Sequence, residues 1–482
     1  MKNLVSTLSM AVLATLPLGV GAQELPDALL QATRQAVAAN PDVQERWHVF
    51  TAAETDQDQA RAGYRPSVDL TAGVGREKRK SPGVPSNSYT RSGVEASLTQ
   101  MLYDGWFTPN EVERLGHARV TRYFELLDTM EETSLEVVRA YSDVLRYRRL
   151  VELAKANYVE HRLLHDQISE RVKAGVSRGV DFEQATGRLA LAESNLLTEA
   201  SNLHDVTARY LRIIGVQPDP QLPPLEARHL ASGVPADSEA AIKAALSENY
   251  QLKASIANIL SRTTEVDSQK AGYRPRLDLR ARQGVFRNLD GVDGRSREGV
   301  VELVLSYNLY RGGADDARLR GAAEELNRSK DLREKACRDA RQTLAIAWND
   351  VQRLREQLAY LDQHQLSTEK SREAYRQQFD IGQRTLLDLL DTENEYFEAR
   401  RAYVNAIHDQ VIAQARSLAS MGQLLKTLGV VREELPTVSD LGRDENEYKA
   451  DPETMCPPET PTMLKVDKEA LLAEAMKSGR GR

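Results

Sequence analysis

The chain has 482 residues and a formal net charge of −7, and 28% of its residues are charged while only 6% are aromatic. An acidic balance without basic blocks argues against nucleic acid as a partner. The length would allow two or three domains, but this composition favours long exposed helices over several separate globular cores.

The N-terminal segment 1–22 is predicted to be a cleaved secretory signal. It combines Lys2, an apolar run over 10–20 and small residues at 20–22, and such a run is too short to span a bilayer. An N-terminal membrane anchor is the alternative, and no cysteine stands at the expected cleavage point to carry a lipid. No later run approaches the roughly 18 to 20 apolar residues of a membrane helix, so the exported chain is expected to be soluble or to span a membrane as a β-barrel. Export permits a disulfide between Cys337 and Cys456 but does not require one, and these two residues predict no metal site.

Most of the exported chain consists of two copies of one unit. Residues 62–66 (AGYRP) recur 209 positions later, and residues 95–103 (EASLTQMLY) resemble a segment 207 positions later. An internal two-fold repeat follows from this offset. The predicted divisions are the signal 1–22, the first repeat 23–214, a linker 215–237, the second repeat 238–430 and a C-terminal periplasmic tail 431–482.

Each copy is predicted to begin with one helix, over about 26–61 and about 238–270, which ends at the Gly-Tyr-Arg-Pro sequence. Hairpins follow over 66–103 and 275–310, where apolar and polar residues alternate as in membrane-barrel strands around a polar lumen. A soluble sheet with one wet face is the alternative, but each hairpin stands alone between long helices and a lone hairpin is marginal in water. Four strands cannot close a barrel, so two chains would give eight strands and three chains twelve.

The longest helix of each copy follows its hairpin. In the first copy Val137, Val144 and Val151 repeat every seven residues, which indicates helices packed side by side with slight supercoiling. A helix over 109–173 would be roughly 95 Å long. The chain is predicted to reverse at the turns 174–180 and 381–385 and to return through two further helices.

This duplicated plan, and Phe379–Arg400 (FDIGQRTLLDLLDTENEYFEAR) in particular, resemble the TolC family of outer-membrane export ducts. The resemblance implies a mainly α homotrimer with a periplasmic α-barrel under a 12-stranded transmembrane β-barrel, four strands per chain. It places the protein in the cell outer membrane, extending into the periplasm. The implied partners are a periplasmic adaptor protein, an inner-membrane ABC transporter or a proton-driven efflux transporter, an exported substrate and outer-membrane lipid.

The resemblance also assigns roles to charged residues near the second turn. Asp388 and Asp391 match the acids that line the constricted entrance, Arg384 matches a basic residue that ties the closed duct together, and Asp181 matches its acidic counterpart in the first copy. Asp388 and Asp391 are three residues apart and share a helix face, so three chains would form stacked carboxylate rings that select cations. A solvated acidic face is the alternative for these residues.

The adaptor is expected to dock on the two turns. The residues assigned to this contact are Gly175, Val176, Gly382 and Gln383. For Gly175 and Gly382 the alternative is a purely structural role, because a turn needs backbone angles that glycine adopts easily. Phe379 and Val180 depart from the family pattern, where a tyrosine and a small hydroxyl residue are usual, and the network that closes the duct is expected to be thinner for that reason.

The sequence therefore predicts a passive conduit, not an enzyme, with no catalytic residue, cofactor or metal. Energy must come from a partner, because no GxxxxGK[ST] phosphate loop is present. The missing lipid-bearing cysteine and the segment 98–106 (LTQMLYDGW) favour the type I secretion branch, with an adhesin or toxin class substrate. The alternatives are the outer-membrane duct of a multidrug efflux pump and, in another class, a periplasmic coiled-coil scaffold without a pore.

Overall fold

A computed structural model describes residues 25–478, apart from 81, 84, 85, 431, 433, 452–454, 457–463 and 465. The predicted signal over 1–22 lies outside the described residues. Among the residues that are described, no helix is both long enough and apolar enough to cross a membrane.

The elements of the two copies follow the same order. The first copy contains α1 Asp27–Ala39, α2 Pro41–Ala62, β1 Ser67–Arg79, β2 Asn87–Tyr103, α3 Phe107–Lys173 and α4 Gly179–Ile214. The short helix α5 (Arg228–Ala231) lies between the copies. The second copy contains α6 Ser238–Glu248, α7 Tyr250–Gln269, β3 Arg276–Arg287, β4 Arg295–Ser306, α8 Ala314–Asp380 and α9 Leu386–Ser420. The chain continues through α10 (Leu424–Leu428) and α11 (Lys468–Lys477).

The prediction of one opening helix per copy is wrong, because an asparagine divides each of them in two. The side chain of Asn40 accepts a hydrogen bond from the Asp42 amide at 2.9 Å, and Pro41 occupies the first helical position of α2. The side chain of Asn249 likewise accepts from the Leu252 amide at 3.0 Å. Both asparagines have extended backbones, as N-caps require, so each starts a new helix instead of continuing the old one.

The four strands form one antiparallel sheet in the order β1-β2-β3-β4. The two hairpins do not stand alone as the sequence suggested, because β2 pairs with β3 from Ser92↔Arg287 to Tyr103↔Leu277. This pairing joins the two copies. The strands β1 and β4 remain the edges of the sheet in a single chain.

The register places apolar and polar residues on opposite faces of this sheet, as their alternation predicts. Leu70 is 74% exposed and Val301 76% exposed on the apolar face, where further members are Val68, Val74, Val94, Leu303 and Leu305. The polar face carries Glu95, Arg282 and other charged residues, and also Phe286. The Phe286 ring lies over Gly93 and Gly284, where an added Cβ would come within 2.3 Å of a ring carbon at either position.

Four helices form an antiparallel array in the order α4, α3, α9, α8. The helix α3 packs along α4, α8 packs along α9, and α3 packs along α9 to join the two copies. The helices α3 and α8 have 67 residues each, which corresponds to about 100 Å. The predicted heptad positions Val137, Val144 and Val151 are buried.

Part of the C-terminal tail belongs to the hydrophobic core. Tyr448 is fully buried, and its ring centre lies 5.6 Å from that of Phe124 on α3. A disulfide joins Cys456 of the tail to Cys337 of α8 and spans 119 positions of sequence. The pairing that the sequence left open is therefore made.

Candidate functional site

The two turns between the long helices lie at the same end of the array. We call residues 172–189 and 379–396 the tip. Gly175 has φ 72° and Gly382 has φ 78°, a left-handed conformation that favours glycine at the end of a helix. The amide of Gly175 donates to the Val172 carbonyl at 3.0 Å, and that of Gly382 donates to the Phe379 carbonyl at 2.9 Å. The chain thus reverses direction in both copies through the same turn, which has a left-handed glycine after the helix.

Asp388 and Asp181 hold equivalent positions at the starts of the returning helices. One carboxylate oxygen of Asp388 accepts from the Thr385 amide at 3.1 Å and from the Thr385 hydroxyl at 2.8 Å. These hydrogen bonds lower the pKa of Asp388, the one from the hydroxyl having the larger effect. The carboxylate of Asp181 accepts from the Arg178 amide at 3.1 Å. Each acid therefore stabilises a helix N-terminus, which accounts for its presence in both copies.

Asp391 has a different partner, Arg188 of α4. The two side chains form an ion pair in which Arg188 is 31% and Asp391 55% exposed. This pair connects the returning helices of the two copies. The sequence interpretation did not include Arg188, since nothing distinguishes it there from other charged residues on a helix surface.

Arg384 and Asp181, which were expected to pair, do not contact each other within the protomer. The Arg384 side chain donates from Nε to Gln378 Oε1 at 2.9 Å, and its guanidinium lies 4.3 Å from the centre of the Tyr375 ring. Arg384 thus folds back on the helix that precedes it. The side chain of Asp181 pairs with Arg178 at 3.4 Å.

A cluster of four charged residues, which includes Glu393 of the tip, was missed by the sequence interpretation. The carboxylate of Glu393 on α9, only 4% exposed, lies 2.7 Å from both Arg372 and Arg376 of α8. Glu160 of α3 pairs with the same two arginines. The cluster therefore joins three of the four long helices. A signal was available, because Glu393 occupies a place in the otherwise apolar stripe of Leu386, Leu390 and Phe397.

The outer end of the tip carries apolar side chains in contact with solvent. Val176 is 68% exposed and Ile381 70% exposed, one on each turn, and Val180 and Leu387 are exposed beside them. Gly382 and Gln383 lie on the same exposed turn. Beneath them Phe379 is buried and the guanidinium of Arg171 lies 5.4 Å from its ring centre. The end of the tip is thus an apolar surface on a packed base.

The described residues hold no group of three or more His, Cys, Asp or Glu arranged to hold a metal ion. The contacts described at the tip are ion pairs, hydrogen bonds and apolar packing. Charged pairs connect neighbouring helices, and their loss would allow those helices to separate.

Comparison with known proteins finds a match to the outer membrane efflux protein family over residues 32–216 and 241–423. Similar curated proteins include the outer membrane efflux protein BepC of Brucella suis biovar 1 (strain 1330), 24% identical over 76% of this chain and 78% of that protein. The outer membrane protein TolC of Escherichia coli (strain K12) is 23% identical over 82% of each chain. The proteases secretion protein PrtF of Dickeya chrysanthemi is 23% identical over 81% of this chain and 87% of its own length.

Solved structures with the same fold include two outer-membrane channels. The Campylobacter jejuni CmeC channel superposes with a TM-score of 0.75 and 14% identity, covering 88% of this chain and 90% of that one. The OprN channel superposes with a TM-score of 0.71 and 19% identity, covering 82% of this chain and 90% of that one. The mainly helical architecture with its duplicated unit is the architecture of these channels.

Proposed function

Because this chain belongs to the outer membrane efflux protein family, and is thus an outer-membrane channel of tripartite export, we propose that it forms a homotrimeric duct for type I protein secretion. The proposal of a duct is supported by two features that occur together in one chain. The sheet has an exposed apolar face, and helices of 67 residues extend from the same sheet.

The sheet supports assembly from several chains. Its edge strands β1 and β4 have unpaired backbone groups, and such groups cannot be left unpaired in lipid. Three copies would pair these edges in a closed barrel of twelve strands, with the apolar face toward lipid and the polar face around the lumen. Two copies would give eight strands, which leave little interior space for a protein substrate.

The tip is proposed to be the periplasmic gate of the duct. Two contacts would hold it closed within each protomer: the Arg188–Asp391 pair and the cluster of Glu160, Arg372, Arg376 and Glu393. Asp391, together with Asp388, would contribute to carboxylate rings at the entrance. Arg384 and Asp181, which are engaged with their own hairpins in the single chain, could meet only between protomers.

The exposed ends of the two turns are proposed to receive a periplasmic adaptor protein. Val176 and its neighbour Gly175, with Gly382 and Gln383, form a surface where apolar side chains meet exposed backbone. The adaptor would connect the duct to an inner-membrane ABC transporter, since the channel itself is passive. Opening would then consist of breaking the two contacts named above when the adaptor and transporter engage.

The relatives named above include proteins of both kinds of export system, since one is an efflux protein and another a proteases secretion protein. Both branches therefore stay open. Type I secretion is our first proposal because of the segment 98–106 (LTQMLYDGW), and multidrug efflux with a proton-driven transporter is the second. A deletion strain distinguishes them. We expect one large exported protein to disappear from the culture medium with unchanged drug susceptibility. Increased susceptibility with an unchanged set of secreted proteins would contradict type I secretion.

The duct itself is tested with the purified protein. We expect a heat-modifiable trimer from outer-membrane fractions that conducts ions in planar bilayers. A monomer recovered from the soluble periplasmic fraction would contradict the duct and would favour a coiled-coil scaffold without a pore.

A further inference from the structure

The C-terminal helix α11 exposes an apolar side that no described residue of the protomer covers. Leu471, Leu472 and Met476 are 58%, 62% and 69% exposed, and none of the residues of α11 is buried. A helix of ten residues is unstable in water on its own, because helices of this length depend on packing. The apolar side of α11 is therefore available for a contact that would stabilise the helix.

The residues before α11 hold it beside α8. The disulfide fixes Cys456 to Cys337 of α8. Arg353 of α8 donates a hydrogen bond to the Leu464 carbonyl. The ammonium group of Lys468, in the first turn of α11, lies 3.8 Å from the Tyr360 ring centre and donates to the Tyr360 hydroxyl at 2.5 Å. Three described residues of the tail thus contact α8, Cys456 at position 337, Leu464 at position 353 and Lys468 at position 360.

Beyond the buried disulfide, Leu464 and Lys468 contact α8 on the side that faces away from the rest of its protomer. Val351 is buried on the packed side of α8, and Arg353 follows it by two residues, which is about 200° around the helix. Tyr360 lies one heptad beyond Arg353 and on the same side. Because α8 is the last helix of the array, this side is where a neighbouring protomer would be placed.

The other flank of the array is α4, and it exposes leucines of its own. Leu197 is 72% exposed and Leu191 45% exposed. An ion pair shows where these leucines lie along the helix axes. Glu199 of α4 contacts Arg401 of α9 at 2.7 Å. A few residues along α9, the Tyr396 hydroxyl donates to Glu369 of α8 at 3.1 Å. Leu197 thus lies at about the level of residues 364–368 of α8, just beyond Tyr360 towards the tip.

We propose that α11 packs against α4 of the neighbouring protomer, so that the tail is a strap across each boundary between copies of this chain. The proposal rests on the homotrimer proposed above. Leu472 follows Lys468 by four residues, and Met476 follows Leu472 by four, so these three residues share one face of α11. Lys468 anchors that face at α8, while Leu472 and Met476 cover the leucines of the adjoining α4. The disulfide ensures that the strap stays attached to its own protomer.

Cysteine cross-linking in the full-length protein tests the strap. Leu472→Cys combined with Leu197→Cys is treated in outer-membrane vesicles with a short bismaleimide, to which the two native cysteines do not react because they are oxidised. Covalent dimers and trimers are expected on denaturing gels. Glu474→Cys with Leu197→Cys is the matched control, because residue 474 lies about 200° around α11 from residue 472, and it should give several-fold less cross-linked product.

The outcomes separate this proposal from the proposed duct. A wild-type trimer whose Leu472→Cys/Leu197→Cys variant stays uncross-linked, or cross-links only within single chains, overturns the strap and leaves the duct intact. A wild-type chain that is monomeric in its native membrane overturns both. As a second measurement, Leu472→Glu with Met476→Glu should lower the temperature at which the trimer dissociates, whereas Glu474→Gln should not.

Discussion

Arg188 on α4 and Asp391 on α9 form an ion pair across the boundary between the two copies of the repeat. The repeat offset of 207 residues places Glu395 at the position equivalent to Arg188, and Gln184 at the position equivalent to Asp391. The symmetric counterpart of this pair therefore does not exist. The two copies share their turn geometry but have diverged in the charges that connect them.

Removing the Arg188–Asp391 pair should make the closed tip leak. Both residues are partly exposed, so the pair is worth up to about 1 kcal/mol, and Arg188→Ala should raise the open probability up to about five-fold. The measurement is resting conductance in planar bilayers. Arg162→Ala is the control, because Arg162 pairs with Asp166 within α3 alone. Arg384→Ala should have a smaller effect than Arg188→Ala, and the reverse order would mean that Arg384 makes the stronger contact between protomers.

Removing Arg376 should loosen the tip more strongly. Glu160 and the nearly buried Glu393 would then lie close together with Arg372 as their remaining shared partner, at a cost of about 2 to 3 kcal/mol. Amide hydrogen exchange over residues 386–397 should become roughly 30- to 150-fold faster if it reports this local opening. Arg338→Ala, on the same helix but paired with Glu334 in an exposed i,i+4 pair, should leave that exchange unchanged. Equal protection in the two variants would show that the cluster does not hold the tip.

The glycines beneath Phe286 should control the width of the duct. In Gly284→Ala the new methyl group would meet the Phe286 ring at 2.3 Å, so the ring must leave the sheet for the proposed lumen, and single-channel conductance should fall. The double variant Gly284→Ala/Phe286→Ala should recover it. Gly75→Ala is the control. Gly75 lies on the same face of the sheet as Phe286, and no atom lies within 4 Å of a Cβ added there. A loss of conductance in that control, or no recovery in the double variant, would refute the role of the ring.

Glu131 should make stability depend on pH. Burial raises the pKa of Glu131 from 4.5 to about 8, against the opposing effect of hydrogen bonds from the Leu425 and Leu424 amides. The folded chain therefore binds this proton more tightly than the unfolded chain, and the free energy of unfolding should fall as the pH rises from about 4.5 to about 8. The melting temperature of the helical circular dichroism signal, recorded across that range, checks the direction.

Glu131→Gln should flatten this dependence, because an amide side chain does not titrate in this range. Part of the slope should remain, because burial also raises the pKa of the neighbouring Asp128 to about 7. Glu152→Gln, at an exposed position on the same helix, should keep the wild-type profile. A wild-type melting temperature that rises with pH through this window would contradict the assignment.

The family and the fold class predicted from the sequence are confirmed, as is the outer-membrane location. The fold class could be predicted because its elements depend on local periodicity: alternation marks the strands, heptads mark α3, and the glycines mark the turns. The family and the location were implied by the resemblance of residues 379–400 to the TolC family. The cluster around Glu393 could also have been suspected from the sequence, since Glu393 interrupts the apolar stripe of Leu386, Leu390 and Phe397. The roles proposed for Asp388, Asp391, Arg384 and Asp181 remain predictions.

The contacts at the tip depended on the tertiary structure. The strands, the long helices and their duplication could be predicted from the sequence alone, because backbone geometry imposes its period on neighbouring residues. Only the folded chain decided that Asp391 pairs with Arg188, that Arg384 turns to Gln378 and Tyr375, and that Cys456 reaches Cys337. The Asp391–Arg188 pair and the disulfide depend on which faces of separate segments meet and at what level, and side-chain periodicity within one segment carries no information about the level of another. The contact of Arg384 depends on the path of the turn that carries it.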